Sequence, residues 1–391
     1  MHSESILLSI FLIFGGAALL ATAALYLRQA MIVAYLAIGA ILGPWGLGLV
    51  TDADLIQDIA RIGIIFLLFL LGLNLSPQKL FQLLKETILV TVFCTLIFGS
   101  VAAGIALAFG FSLIDALIIG MCASFSSTII GLKLLPTTVL HHRHTGEVII
   151  SVLLLQDMIA IVTMLFIHAY GSGGGEVPLS EIIKVLLALP VLGLVAWLGH
   201  HFIIIKLFLK FDRIQEYIFL LTIGWCLGIA QLAETMGLSY EIGAFTAGVA
   251  IATSPMALHI AESFKPLRDF FLVMFFFGLG AGFDLSVVAM VALPAVLIAG
   301  ILLVIKPLVF RYLLMQQSEN DKLAWETGVR LGQLSEFSLL IVFMAKQNLL
   351  ISAEAFYVVQ LATIITFVVS VYWIVARYPT PIAIKDELRR D

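Results

Sequence analysis

Charge is scarce in this sequence: 12% of its 391 residues are Asp, Glu, Lys or Arg, while 62% are hydrophobic. A soluble domain carries about 25% charge and is roughly half apolar, so a soluble globular chain is excluded. Long apolar runs continue from the first residues to about residue 376 and leave no room for a soluble domain among them. No basic tract is long enough to follow a phosphate backbone, and the net charge is −4, so nucleic acid is not an expected partner. Cysteine is limited to Cys94, Cys122 and Cys226, each inside an apolar run and none at the spacing of a metal site or a disulfide pair. They are expected to be packing residues. No Ser/His, Cys/His or Asp/Asp set within the runs joins a nucleophile to a base, which argues against an intramembrane enzyme. The opening run, Ser5 to Leu27, lacks a basic leader and is too long for a signal peptide, so it is expected to stay as a membrane helix. Lys385 to Leu388 spells a retention signal, but it is not terminal.

What is present is a series of apolar segments of about 20 residues, the length that crosses the hydrocarbon core as a helix. Thirteen are expected, at 5–27, 31–49, 59–75, 87–109, 113–135, 148–169, 179–205, 215–233, 238–255, 267–283, 287–311, 324–346 and 354–376. An odd number puts the termini on opposite sides. With the C-terminus inside, sixteen of the 21 Lys and Arg residues face the cytoplasm, and only Arg61, Lys184 and Lys346 fall outside. This is the bias of a membrane protein with its N-terminus outside.

The halves of the chain resemble each other. Gly72-Leu-Asn-Leu-Ser76 closes the third segment and Gly282-Phe-Asp-Leu-Ser286 closes the tenth, 210 residues later. Ile38-Gly39-Ala40 in the second segment matches Ile242-Gly243-Ala244 in the ninth, at an offset of 204. Matching segments are seven spans apart, so the copies cross in opposite senses. The expected domain is a transmembrane unit over 1–376, with repeat one at 5–169, a linker helix at 179–205 and repeat two at 215–376, followed by a short tail at 377–391. Inverted repeats typify secondary transporters, whose sites lie at mid-membrane on interrupted helices. Ser126, Ser127 and Thr128, with Ser124 and Gly131, interrupt the fifth segment, and Gly332, Gln333, Ser335 and Glu336 interrupt the twelfth at the same offset. Hydroxyls that return to their own helix carbonyls are the bland alternative.

Four ionisable residues lie deep in apolar spans: Asp157, Lys306, Arg330 and Glu336. Each costs about 2.5–3.5 kcal/mol at a helix centre, so such residues normally face a cavity, a partner or a transported ion. Asp157 follows Gln156 in an otherwise aliphatic stretch. Burial disfavours a charged carboxylate and an arriving cation favours it, so a lone buried acid binds a proton or a cation in competition. Gln156, Ser126, Ser127 and Thr128 are expected to complete the site, and the alternative is a fixed ion pair with Lys306 or Arg330 or a permanently protonated acid bonded to a neighbouring helix. For Lys306 three roles stay open: pairing with an acid, neutralising the negative end of a half-helix, or snorkelling to the interface. Gln333 and Ser335 are expected to support the site, and Arg330 and Glu336 either support it or are structural. His141, His142 and His144 with Arg143 form a loop cluster that binds a metal, senses pH or is simply solvated. Asn74, Asp115 and Asp284 sit at segment ends and are expected to have capping or interface roles.

Taken in order, these residues resemble the monovalent cation:proton antiporters of the second large subgroup, and within it the membrane domain of Kef-type potassium efflux systems. The stretches that carry the resemblance are Gly43-Pro44-Trp45-Gly46-Leu47, Leu70 to Leu73 with Pro77, Ser126 to Thr128, Gln156-Asp157, Gly237 to Gly248, Lys306, and Leu331-Gly-Gln333 with Ser335-Glu336-Phe337. The resemblance implies an NhaA-like all-α fold of inverted six-helix repeats with two broken crossing helices, a mobile core that moves as an elevator, and a homodimer in membrane lipid. It also implies that Asp157 carries the cation and the proton with support from Gln156, and that the cation is K⁺ in preference to Na⁺. A neutral Gln156 leaves one exchangeable charge and hence electroneutral exchange. A Na⁺/H⁺ antiporter and a ligand-gated cation channel are the rival readings. Kef-type systems continue into a nucleotide-binding regulatory domain, whereas about fifteen residues follow Ala376 here, without a Gly-rich fingerprint. Either a cytoplasmic regulatory domain or subunit lies beyond this sequence or that control is lacking. The family's acidic regulatory loop corresponds to His259 to Pro266, where only Glu262 is acidic.

Overall fold

In lipid every backbone N–H and C=O must be satisfied within the protein, which favours helices for apolar segments of this kind. A computed structural model of the protein describes residues 2–50, 62–66, 68–70, 72–73, 77–135, 144–172, 179–380 and 387, and these are organised as helices and their connections. The helices are α1 (His2–Tyr26), α2 (Met31–Leu42), α3 (Pro77–Ala108), α4 (Leu113–Ser124), α5 (Thr128–Lys133), α6 (His144–Ser172), α7 (Leu179–Gly199) and α8 (Ile205–Lys210). They continue with α9 (Gln215–Thr235), α10 (Tyr240–Ile251), α11 (Ala257–Ser263), α12 (Lys265–Ala281), α13 (Val288–Gln316), α14 (Asp321–Arg330), α15 (Glu336–Gln347) and α16 (Ala353–Arg377). A π-helical turn at His200–Ile204 joins α7 to α8.

The protein is a polytopic membrane protein. Among the described residues seven helices are long and apolar enough to cross a bilayer, and α2, α4 and α10 are apolar but shorter. Thirteen spans are therefore not established. The expected segments 113–135 and 324–346 are each divided, into α4 and α5 and into α14 and α15. The tenth is the 17-residue α12, and the third lies partly outside the described residues. The connection after α10 contains the short helix α11, which the sequence reading did not anticipate. Asp52, Asp54, Asp58, Arg61, Asn74, Glu176, His141, His142 and Arg143 lie outside the described residues.

The chain forms two compact units. One comprises Met1–Ala17, Tyr35–Phe81 and His168–Gly282. Its helices approach backbone to backbone because glycine leaves room for it, the device by which helices pack without a hydrophobic driving force. The carbonyl of Phe277 occupies the place a Cβ on Gly39 would need, and the carbonyl of Leu36 blocks a Cβ on Gly280, so α2 and α12 are in mutual contact. In the same reciprocal way Gly72 lies against Phe245 and Gly248 against Phe69. The first pairing joins segments two and ten, the second joins segments three and nine. Exchanging the two expected repeats turns one pairing into the other.

The other unit comprises Ala18–Ala34, Gln82–Ile167 and Phe283–Asp391, and so holds the last three segments of each expected repeat. Here α16 packs against α13, α14, α15 and α4. Gly328 lets α14 close on α13, since a Cβ there would stand 2.7 Å from the Pro307 carbonyl oxygen. Asp115 does cap a segment end. Its carboxylate accepts from the Ser352 amide at 2.8 Å and from Ser112 Oγ at 2.9 Å, tying the starts of α4 and α16 together. Asp284 likewise accepts from the Ser286 amide at 2.8 Å.

Candidate functional site

The second unit contains two places where a buried helix stops and restarts. Phe125 is extended, with φ −87° and ψ 153°, and the helix resumes at Thr128. The second interruption runs over residues 331–335, between α14 and α15. Ser and Thr compete with helix geometry by bonding to nearby backbone, which suits them to such positions. Ser127 Oγ accepts from the Ile130 amide at 3.1 Å, and Ser335 caps α15 by accepting from the Phe337 amide at 3.0 Å. Both half-helices thus restart on a serine, 208 residues apart.

An interruption frees backbone groups that lipid cannot satisfy. The two interruptions satisfy each other: Ser126 Oγ donates to the Leu331 carbonyl at 2.8 Å, and Ser338 Oγ donates to the Cys122 carbonyl at 2.5 Å. Lys306 completes the junction. Its ammonium donates to the Phe125 carbonyl at 2.7 Å, to the Gln333 carbonyl at 3.1 Å and to Ser126 Oγ at 3.4 Å. Those carbonyls follow the C-terminal ends of α4 and α14, where a cation offsets the negative end of a helix. This arrangement fits the second of the three roles open to Lys306, and with 0% exposure the side chain does not snorkel.

Beside this junction, α6 carries Gln156 and Asp157. The Gln156 amide spans the first interruption, accepting from the Ser126 amide at 2.9 Å and donating to the Ser124 carbonyl at 3.3 Å. The Asp157 carboxylate is 1% exposed. Thr128 Oγ1 lies 3.1 Å from both of its oxygens. Among the described residues no Lys, Arg or His forms an ion pair with it. Lys306 is turned to carbonyls, as above, and so is Arg330. The guanidinium of Arg330 donates to Glu326 at 2.9 Å, to the Leu134 carbonyl at 3.0 Å and to the Pro379 carbonyl at 2.9 Å. It pairs within its own half-helix and not with Glu336, which begins α15 and is 2% exposed.

The structure therefore brings together Asp157, Gln156, Ser126, Thr128, Lys306 and Gln333, with Ser127 and Ser335 as caps beside them. Arg330 belongs to the edge of the same assembly. Of the loop cluster, only His144 is described. Its ring nitrogens lie 2.8 Å from Glu319 and 3.3 Å from Glu147, forming a bridge at the surface. The sequence reading missed Ser338 and Cys122, whose exchange of contacts joins α4 to α15. It also missed two residues of α16: Thr366 Oγ1 accepts from the Leu334 amide at 3.1 Å, and Ser370 Oγ donates to Gln333 Oε1 at 2.9 Å. Their only sequence signal was a run of hydroxyls at helical spacing in an apolar span.

The model of the sodium/hydrogen exchanger family, transmembrane region, matches residues 10–377. The chain belongs to that family. Members of the family are transporters, not enzymes. The chain is 28% identical to the iron transporter MagA of Paramagnetospirillum magneticum, over 89% of this chain and 80% of that one. It is 30% identical to K(+) efflux antiporter 4 of Arabidopsis thaliana, over 84% and 56% of the two chains. It is also 30% identical to the glutathione-regulated potassium-efflux system protein KefC of Cronobacter sakazakii, over 89% and 56%. The chain thus spans about half the length of these two potassium-efflux relatives. In fold it is similar to the sodium proton antiporter MjNhaP1 of Methanocaldococcus jannaschii, with a TM-score of 0.70 at 17% identity, covering 95% of this chain and 96% of that one. Membership of the exchanger family agrees with the resemblance drawn from the motifs.

Proposed function

We propose that this exchanger-family protein is a secondary antiporter that trades a monovalent cation, K⁺ in preference to Na⁺, for H⁺ at Asp157. One observation carries the reading. The acid is buried beside two helix interruptions, and the neighbouring Lys306 and Arg330 are committed to backbone carbonyls instead of to it. A carboxylate with no permanent counter-ion in a dry site must be discharged by a proton or by a cation. The two cannot be held together. Exchange follows from that competition once the site opens to each side in turn. Thr128 contacts the acid, and Gln156 holds the interruption to which Ser126 and Ser127 belong.

On this reading the cation is a substrate that displaces the proton at the carboxylate and takes oxygen ligands from it and from hydroxyls near it. Gln156 is neutral, so a single charge is exchanged and transport is electroneutral. The preference for K⁺ is supported by the names of the potassium-efflux relatives at 30% identity. The likeness in fold to a sodium proton antiporter supports the Na⁺ alternative. The reading includes thirteen spans in inverted repeats of 5–169 and 215–376 joined by a linker at 179–205, an N-terminus outside, a cytoplasmic tail, the cytoplasmic membrane as location, a homodimer and elevator movement of the unit that bears Asp157. The reciprocal glycine contacts and the paired interruptions support the inverted repeat.

The test is a pH-gradient dequenching assay in proteoliposomes with K⁺, Na⁺, Li⁺ and Rb⁺ in turn. Dequenching is expected with K⁺ at the lowest concentration, unchanged by an imposed membrane potential. Cation flux without coupled proton movement would instead mark a channel. Gln156→Asp adds a second acid, and its exchange is expected to become sensitive to the imposed potential. Voltage independence of that variant would contradict exchange of one charge for one.

A further inference from the structure

The first interruption is held from the side by α6. Gln156 accepts the hydrogen bond of the freed Ser126 amide at 2.9 Å, and the next residue is the acid. The second interruption is held from the side by α16, whose one acid, Glu354, lies in its first turn, away from the interruption. Thr366 Oγ1 accepts the hydrogen bond of the freed Leu334 amide at 3.1 Å. From Ser126 to Leu334 is 208 residues and from Gln156 to Thr366 is 210, close to the offsets of 204 and 210 between the matching motifs. The same task is done at the same place in each half.

From this correspondence we infer that Thr366 is a positioning residue for the exchange site, the counterpart in the second half of Gln156 in the first. Three further observations fit that assignment. Thr366 is 0% exposed, so no water competes for its hydroxyl. Its own hydroxyl proton goes back to the Thr363 carbonyl at 2.9 Å, which leaves its lone pair directed at Leu334. One turn further on, Ser370 donates to Gln333 Oε1 at 2.9 Å, so α16 grips two consecutive residues of the interruption. The backbone held in this way includes the Gln333 carbonyl that receives Lys306, and Lys306 in turn fixes the Phe125 carbonyl ahead of Ser126. A displacement at Leu334 is thus passed to the first interruption through the Lys306 ammonium, alongside the Ser126–Leu331 and Ser338–Cys122 contacts. Gln333 Nε2 has no hydrogen-bond partner among the described residues. The Gln333 side-chain oxygen is engaged by Ser370. Thr366 therefore acts on the site through backbone position, and touches neither the cation nor Asp157.

The inference rests on Asp157 being the exchanging acid, and the experiment separates the two. Thr366→Val keeps the shape and removes the acceptor, while Thr366→Ser restores it. In proteoliposomes the apparent KM for the exchanged cation is expected to rise about tenfold in Thr366→Val, the effect of one buried amide left without its acceptor. Thr366→Ser is expected to return within about threefold of the parent, a difference well under one bond's worth. Thermal unfolding of the purified variants in detergent reports folding independently. A parental KM and pH profile in a folded Thr366→Val would overturn the inference, as would a Thr366→Ser as impaired as the valine variant. Asp157→Asn is measured alongside. If that variant keeps exchanging, the carrier reading fails whatever Thr366 does; if it is silent while Thr366→Val behaves as the parent, only the positioning role fails.

Discussion

Replacing Asp157 with asparagine is expected to reduce cation-dependent proton movement in proteoliposomes to the level of protein-free vesicles, without loss of folded protein. The size of the effect follows from chemistry. An amide has almost the same shape as the acid and keeps an oxygen for Thr128, whose hydroxyl lies 3.1 Å from both carboxylate oxygens. It cannot bind and release a proton or balance a cation. Stability should be retained or raised, because a 1%-exposed carboxylate with no cationic partner is costly to bury and a neutral amide is less so. Thermal unfolding in detergent checks the second half of the expectation. A silent variant that also unfolds early would mean the acid is structural.

Lys306→Met is expected to fail differently, losing transport and stability together. Methionine nearly matches the length of the lysine stem but leaves the Phe125 and Gln333 carbonyls without their shared donor. Each buried group left bare costs about 1–3 kcal/mol, and the negative ends of two half-helices lose the charge that offsets them. Lys306→Arg keeps a charge and is expected to recover part of the stability, although a planar guanidinium reaches the two carbonyls at different angles. The contrast between Asp157 and Lys306 is measured in one unfolding experiment. A Lys306→Met protein as stable as the parent would contradict the role of the ammonium as the tie between the interruptions.

Much of this was legible in the sequence, for definite reasons. Apolar length is local, so segment positions such as 354–376 fall within a residue of α16 (Ala353–Arg377). The interruptions at Ser126 and at Gly332 to Ser335 were visible because hydroxyl and glycine residues are conspicuous in an aliphatic stretch. Asp157 stood out by the cost of burying it. Partner choice was not legible. Lys306, Arg330 and Glu336 each offered several arrangements, and only the packing of helices 180 to 200 residues apart in sequence shows that Lys306 and Arg330 hold carbonyls. Thr366 was passed over because a hydroxyl in an apolar helix usually returns to its own backbone, as Thr363 does to the Val359 carbonyl at 2.8 Å. What distinguishes Thr366 is that it also accepts from an amide of the interruption between α14 and α15.

The central claim is that proton and cation exclude one another at Asp157, and proton release on cation binding measures it directly. Purified protein in weakly buffered detergent solution is titrated with K⁺ and with Na⁺, against choline as control, while a pH indicator follows the solution. The parent protein is expected to release protons as the transported cation binds and Asp157→Asn to release none. Equal release from both proteins, or calorimetric cation binding to the parent with no proton released, would contradict the account.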